Sequence, residues 1–428
     1  MMSSSIADPK IIDLLNDRKK AANGSGGNGG AVASLEYFPP RTDEGVKNLY
    51  ARMTRMKNNV SPLFTDVTWG AGGSTADLSM QIALEAHKRG HVANLHMTCT
   101  NLAGDTDPKV AVKDALQQAL DGGIRNIVAL RGDPPAGEEE WKVAEGGFSC
   151  ALDLVKFIRA EFSDNVFGIS VAGYPEGHPN AITEITDPST MTPSEAARSS
   201  KSHETGQVYT CKDEDYDKEM IYLKEKIDAG ADFIITQMFF DAQVFIQFVK
   251  DCREKYDIQC PVIPGLMCLN NYGGFRKMTK FCKTRVPADL DEGIEAVDKD
   301  DKDAMKVYGT EFGRKMCNDL MEFLNEDVAP YALHFYTLNL EKVVYGILTE
   351  LKMMTNVEDA NEADASLMTA VGSAWARVGD TVQTKDDKKQ KGVVTDLHKD
   401  GTAVIKLSSE DGSGEEITLK KGEYEKVF

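Results

Sequence analysis

The sequence predicts an α/β fold: a (β/α)₈ barrel of TIM type followed by a small all-β module of SH3-like type. Three observations carry this. Between Ala31 and residue 355, eight short runs rich in β-branched and aromatic residues alternate with helix-patterned stretches. Those runs are largely apolar without strict alternation, which marks strands buried on both faces of a parallel sheet. From residue 373 the pattern changes to short alternating runs separated by turns.

Taken in order, residues 1–30 read as a flexible leader. Ile11 to Leu15 have the spacing of one short helix, and AANGSGGNGG at 21–30 has linker composition. These glycines precede a strand, whereas a dinucleotide loop follows one. The strands of the barrel (31–355) are AVASLEYF (31–38), LFTDVTW (63–69), VANLHMTC (92–99), RNIVALR (125–131), VFGISVAG (166–173), DFIITQM (232–238), PVIPGLM (261–267) and ALHFYTL (332–338). Helix patterns such as DLSMQIALEAHKRG lie between them, and Gly90, Gly122 and Gly230 stand where a left-handed cap closes a helix. Eight β-then-α units fit a closed barrel. An open doubly wound sheet would carry a glycine fingerprint after its first strand, where this chain has EYFPPR. A polar insertion at 183–216 and an acidic loop at 285–302 read as surface excursions. An acidic linker, 356–372, leads into the terminal module, 373–428, with the runs GDTVQT, GVVTDL, TAVIKL, EEITL and EYEKV.

Composition narrows the function. The chain has 428 residues, 41% of them hydrophobic, enough for one large barrel and a small module. A net charge of −19 opposes nucleic acid and anionic membrane surfaces as partners. No apolar run reaches the roughly 20 residues of a membrane helix, and MMSSSIADPK lacks the pattern of a secretory signal. Eight cysteines without a C-x-x-C pair or zinc spacing suit a reducing compartment. A cytoplasmic location and no metal site are the expectations.

In such a barrel chemistry sits at the carboxyl ends of the strands. Glu36 stands there, followed by Tyr37, Phe38, Pro39, Pro40 and Arg41. Excluding water from a carboxyl favours the proton-bearing form of a general acid; an ion pair with Arg41 is the competing reading. After Thr68 and Trp69 comes GAGGST, either a close backbone approach to a ligand or an ordinary tight connection. His96 is a ligand contact or a satisfied core histidine. Arg131-Gly132-Asp133 offers a phosphate partner and an acceptor for a heterocycle N–H, or else a structural salt bridge. Tyr174 and His178, on a Pro/Gly-stiffened loop, suit stacking on a planar ligand. Gln237 suits an amide-like ring, and the eighth strand adds His334, Tyr336 and Asn339. No nucleophile elbow, zinc-protease motif or P-loop is present, so reactivity is expected from an organic cofactor.

LEYFPPR, DVTWGAGG, LHMTC, NIVALRGDPP, VAGYPEGHP, ADFIITQMFFD, PVIPGLM and HFYTLN, in this order between Ser34 and Leu351, resemble the methylenetetrahydrofolate reductase family. DVTW and the GGF at 146–148 are similar to its eukaryotic branch. The resemblance implies FAD held in a barrel without a dinucleotide fold, with NADH or NADPH as reductant. It implies ping-pong reduction of 5,10-methylenetetrahydrofolate to 5-methyltetrahydrofolate, a step toward methionine, by a homo-oligomer acting on small molecules. Glu36 would be the general acid that helps open the folate's five-membered ring. Asp133 would lie between flavin and pterin, and Gln237 would hold the pterin. Flavin contacts would come from Thr68, Trp69, His96, Arg131, Gly132, Cys150, Ala151, Tyr174, His178, Pro179, Asn180, Ala181, Glu219 and Lys226. Arg41, Tyr336 and Leu340 would border the substrate. The chain departs from the family at three of these: Cys150 replaces a common Tyr, Glu219 an Asp, and Leu340 an Arg used by some members. The insertion would lie beside His178, over the cofactor. Long eukaryotic members carry an S-adenosylmethionine-sensing region where this chain has its small β module, so that feedback is not expected. Two other classes compete: a flavin-free barrel lyase or pterin-binding transferase using Glu36 and Asp133, and a partner-binding scaffold acting through the terminal module.

Overall fold

The apolar runs form eight parallel strands: β1 Val32–Tyr37, β2 Thr65–Val67, β3 Ala93–Thr98, β4 Asn126–Leu130, β5 Gly168–Gly173, β6 Phe233–Thr236, β7 in two pieces (Val262–Ile263 and Gly265–Met267) and β8 Ala332–Tyr336. The computed structural model describes residues 7–25, 31–70, 75–99, 107–134, 141–143, 145–163, 166–299, 301–324, 332–355 and, in the terminal unit, 381–384, 391–397, 403–407, 416–419 and 424–426. Pro264, with no N–H for the ladder, divides β7. The first piece pairs with β6 and the second with β8, while β8 pairs with β1, so the strands close into a ring. Helices cover the ring, and several start on a side chain that accepts a free N–H: Thr42, Asp107, Asp241 and Asn271.

The strand register decides what faces inward. Glu36 on β1 lies level with Asp66 on β2 and Tyr336 on β8, and Asp66 lies level with Asn94 on β3. The middle of the barrel is therefore polar. Buried Ser34, Asn94, Ser170 and His334 meet there, with Ser34 Oγ 2.9 Å from His334 Nδ1 and Asn94 Nδ2 donating to Asp66 Oδ1 at 2.9 Å. Buried polar groups persist where each has a partner.

The amino-terminal segment is a correction to the leader expected at 1–30. A helix runs from Ile11 to Ser25, through part of the glycine-rich stretch. Ile11 and Leu15, one turn apart, pack with Phe64, Phe233, Ile263 and Ala332 and close the base of the barrel. Ile11 N donates to Asn126 Oδ1 at 2.7 Å, and Asp8 accepts from Ala93 N at 2.9 Å and contacts His87 Nδ1 at 2.8 Å. Ile11→Ala or Leu15→Ala is expected to cost about 2–5 kcal/mol in denaturant unfolding, because the plug leaves a cavity behind.

Two smaller expectations are also corrected. The acidic stretch 285–302 contains a helix, Ala288–Ala296, because Leu290 and Ile294 fall one turn apart and are buried. Gly122 keeps a negative φ (−82°), and the left-handed turn falls on Gly123 (φ 92°). The polar insertion folds as a small antiparallel sheet of Ile182–Ile185, Ser200–Lys201 and Val208–Cys211, the last being central. Lys283 Nζ donates to Ile182 O at 2.6 Å and Arg285 donates to Ser199 O at 3.1 Å, tying it to the barrel.

Residues from Asn356 onward form a separate unit. Its strands, Thr381–Thr384, Lys391–Leu397, Ala403–Leu407, Glu416–Leu419 and Tyr424–Lys426, pair antiparallel in one sheet. The expected linker at 356–372 lies outside the described residues, as do Ala71 to Ser74 of GAGGST. Among the described residues no helix is long and apolar enough to cross a membrane.

Candidate active site

The carboxyl ends of the strands open on a cavity of about 370 Å³ to which every barrel strand or its following loop contributes. Its floor is a carboxylate–imidazole cluster. His96 Nε2 lies 3.0 Å from Asp66 Oδ2 and 3.6 Å from Glu36 Oε2. His334 Nε2 approaches the same two carboxylates, at 3.8 Å from Asp66 and 4.0 Å from Glu36. Burial alone would lower the pKa of His96, but the hydrogen bond and charge of Asp66, with the charge of Glu36, outweigh it and raise it. Glu36, Asp66 and His96 each bring a donor atom within 4.8 Å of the others. His96 Nε2, the atom facing both carboxylates, bonds to Asp66, so the trio joins one imidazole to two carboxylates. Glu36 therefore turns inward, and Arg41, exposed, is not its partner.

Above the floor, Thr68 and Trp69 continue β2, and the buried Trp69 Nε1 has no partner among the described residues. Tyr336 OH donates to Thr236 O at 2.5 Å. Burial, followed by the charges of Glu36 and Asp66, pushes its phenol well above the usual range, so it stays a neutral donor. Gly265 makes this packing possible: a Cβ there would lie 2.2 Å from Thr236 O and 2.5 Å from Tyr336 OH. Gln237 Oε1 accepts from Met238 N at 2.9 Å.

At the end of β4, Gly132 adopts φ 92°, a left-handed conformation that turns the chain outward and leaves Asp133 exposed on the rim. Arg131 stacks over Trp141, 5.6 Å from the ring centre. After β5 the rings of Tyr174 and His178 meet edge to face at 4.8 Å. Burial, then the charges of Arg131 and Lys226, lower the pKa of His178 to about 4, which keeps it neutral near pH 7. Its Nδ1 accepts from Asn180 N at 3.1 Å and its carbonyl from Ala181 N at 2.8 Å, so Pro179, Asn180 and Ala181 form a turn that fixes the ring.

A second group gathers Cys150, Ala151, Glu219 and Lys226, none of which lines the main cavity. Lys226 Nζ donates to Ala172 O at 3.0 Å and sits 4.9 Å from the centre of Tyr222. Burial lowers its pKa to about 8 against the opposing charge of Glu219. The helix Ala151–Glu161 begins at Cys150, whose side chain caps no N–H, while Leu152 N donates to Tyr222 OH at 3.3 Å. With Lys226 and Arg131, this amino end can face an anion such as a diphosphate. Leu340, 41% exposed, lies with Arg41 outside the cavity lining.

Sequence reasoning missed Asp66. It stands in mid-strand, within a run read only as strand, and its value depends on a barrel register that places it level with Glu36. The available signal was an acidic residue in an otherwise apolar, doubly buried strand.

A family model, Methylenetetrahydrofolate reductase, matches residues 21–352. The chain is 44% identical over 346 residues to the probable methylenetetrahydrofolate reductase (NADH) of Oryza sativa subsp. japonica, covering 81% of this chain and 51% of that protein. It is 41% identical over 360 residues to methylenetetrahydrofolate reductase (NADH) 1 of Arabidopsis thaliana, covering 84% and 53% respectively. With the 5,10-methylenetetrahydrofolate reductase of Escherichia coli (strain K12) identity is 31% over 315 residues, 73% of this chain and 88% of that one. The chain thus spans about half the length of the plant relatives and most of the bacterial one. From these matches and the ring of eight strands, the chain belongs to the methylenetetrahydrofolate reductase family.

Proposed function

We propose that this chain reduces 5,10-methylenetetrahydrofolate to 5-methyltetrahydrofolate at the expense of NADH or NADPH, using FAD held at the barrel mouth. The observation that carries this is Glu36 on the cavity floor, beside His96 and at the end of β1, with amide and aromatic groups ranged above it. FAD, when bound, supplies the hydride chemistry that the protein's own side chains lack. Its fit rests on chemistry present in the site. Trp69 Nε1 is a buried donor without a partner among the described residues, and Arg131, Lys226 and the amino end of the helix at Ala151 together suit a diphosphate. Thr68, Trp69, His96, Tyr174 and His178 would flank the flavin, and Asp133, on the rim, would accept from a heterocycle N–H.

Glu36 would hold a proton for the ring nitrogen of the folate. Gln237, whose Oε1 is occupied by Met238 N, would offer its NH₂ to a pterin acceptor. Tyr336, fixed by Thr236 O, would wall the substrate side. Plant relatives are named for NADH and one from Caenorhabditis elegans for NADPH, so both reductants belong in the assay. The reading extends to a homo-oligomer in the cytoplasm, which eight free cysteines suit.

The visible spectrum of the purified chain, with oxidation of NADH or NADPH by a quinone, tests this against the alternatives. A yellow protein that oxidises either reductant is expected. A colourless protein would favour a flavin-free lyase or transferase. Deleting residues 366–428 is expected to leave flavin content and turnover unchanged, because every proposed contact precedes Asn356, where the second unit begins. Flavin loss on this deletion would contradict the assignment of the site to the barrel alone.

A further inference from the structure

Asp66 has no part in the reading above, yet it is the most enclosed carboxyl on the cavity floor, with its side chain 1% exposed. Both oxygens are engaged: Oδ1 accepts from Asn94 Nδ2 at 2.9 Å and Oδ2 from His96 Nε2 at 3.0 Å. The same nitrogen of His96 lies 3.6 Å from Glu36 Oε2, so one N–H faces two carboxylates at unequal distances. From β8, His334 Nε2 lies within 4.0 Å of both carboxylates and has no hydrogen-bond partner among the described residues, while its Nδ1 is held by Ser34. Tyr336, kept neutral by burial, is the remaining titratable group beside them among the described residues.

A carboxyl that gives up its proton beneath a bound substrate has to regain one without open water. We infer that Asp66 is a positioning residue that keeps His96 protonated and aimed, so that His96 restores the proton of Glu36 in each turnover. The step balances. The O–H bond of Glu36 breaks as its proton passes to the substrate nitrogen. The Nε2–H bond of His96 then breaks as a new O–H bond forms on Glu36, and neutral His96 takes its next proton from solvent once the product has left. The direction in which Asp66 and Glu36 push His96, above the ordinary imidazole value, agrees with this.

The inference rests on the folate-reducing reading, and its test separates the two. The flavin-loaded chain and its Asp66→Asn and Asp66→Ser variants are followed in both half-reactions across the range in which an imidazole titrates. In the wild-type chain the folate half-reaction should fall away on the alkaline side, at a pH above the ordinary imidazole value of about 6.5. In both variants that limb should move down by about one unit or more, with a loss of about tenfold or more at neutral pH. The nicotinamide half-reaction should keep its pH profile. An alkaline limb that stays in place while the rate falls would show a merely structural role and overturn the inference. So would a wild-type profile with no such limb, and this arm decides the matter if neither variant retains flavin. Failure of the underlying reading looks different: the wild-type chain would then pass no electrons from nicotinamide to folate at all.

Discussion

Glu36→Gln is expected to abolish folate reduction while leaving reduction of the bound flavin by nicotinamide nearly intact. Only the folate half-reaction needs a proton at the ring nitrogen, and a glutamine fills the same space without one. General acid catalysis is worth about 100- to 10,000-fold, and a loss of that size should appear in stopped-flow traces of the second half-reaction. The side chain sits 3.6 Å from His96 and is 20% exposed, so the substitution removes a proton without opening a cavity. Equal losses in the two half-reactions would reassign Glu36 to cofactor binding.

Gly265→Ala is the second large effect. The added methyl would lie 2.2 Å from the backbone oxygen of Thr236, which no rotamer change relieves, and 2.5 Å from the hydroxyl of Tyr336. Overpacking of this kind costs about 1–3 kcal/mol, and backbone contact places it at the upper end. The strain falls where the second piece of β7 meets β8, in the wall that holds Tyr336 over the cavity. A lowered denaturant midpoint is expected, with a raised Michaelis constant for folate. Wild-type stability together with unchanged folate kinetics would show that β6 and β8 separate freely there.

The barrel was legible because doubly buried strands write themselves as continuous apolar runs. All eight fell where those runs stand, although the run 261–267, read as one strand, is divided at Pro264, which has no N–H. The amino-terminal helix was less legible, because Asn23 and Gly24 have linker composition while the anchors, buried Ile11 and Leu15 and the hydrogen bonds of Asp8 and Ile11, depend on distant strands. In the site, residues at strand ends could be read one at a time: Glu36, Thr68, Arg131, Tyr174 and Gln237 line the same cavity. Asp66 and the role of His334 could not, because both stand within strands and gain meaning from register across three neighbours. Arg41 and Leu340 show the opposite limit. Adjacency to a motif placed them near the mouth, but their side chains lie outside the cavity lining.

The central claim is that a proton donor on the floor and a flavin above it serve two substrates in turn. Anaerobic mixing of the purified chain with NADH or NADPH, followed by methylenetetrahydrofolate, tests it most directly. The account predicts that the flavin's visible absorbance is lost in the first mixing and restored in the second, with one equivalent of 5-methyltetrahydrofolate formed per flavin. A protein that carries no flavin, or one whose reduced flavin methylenetetrahydrofolate fails to reoxidise, would contradict it.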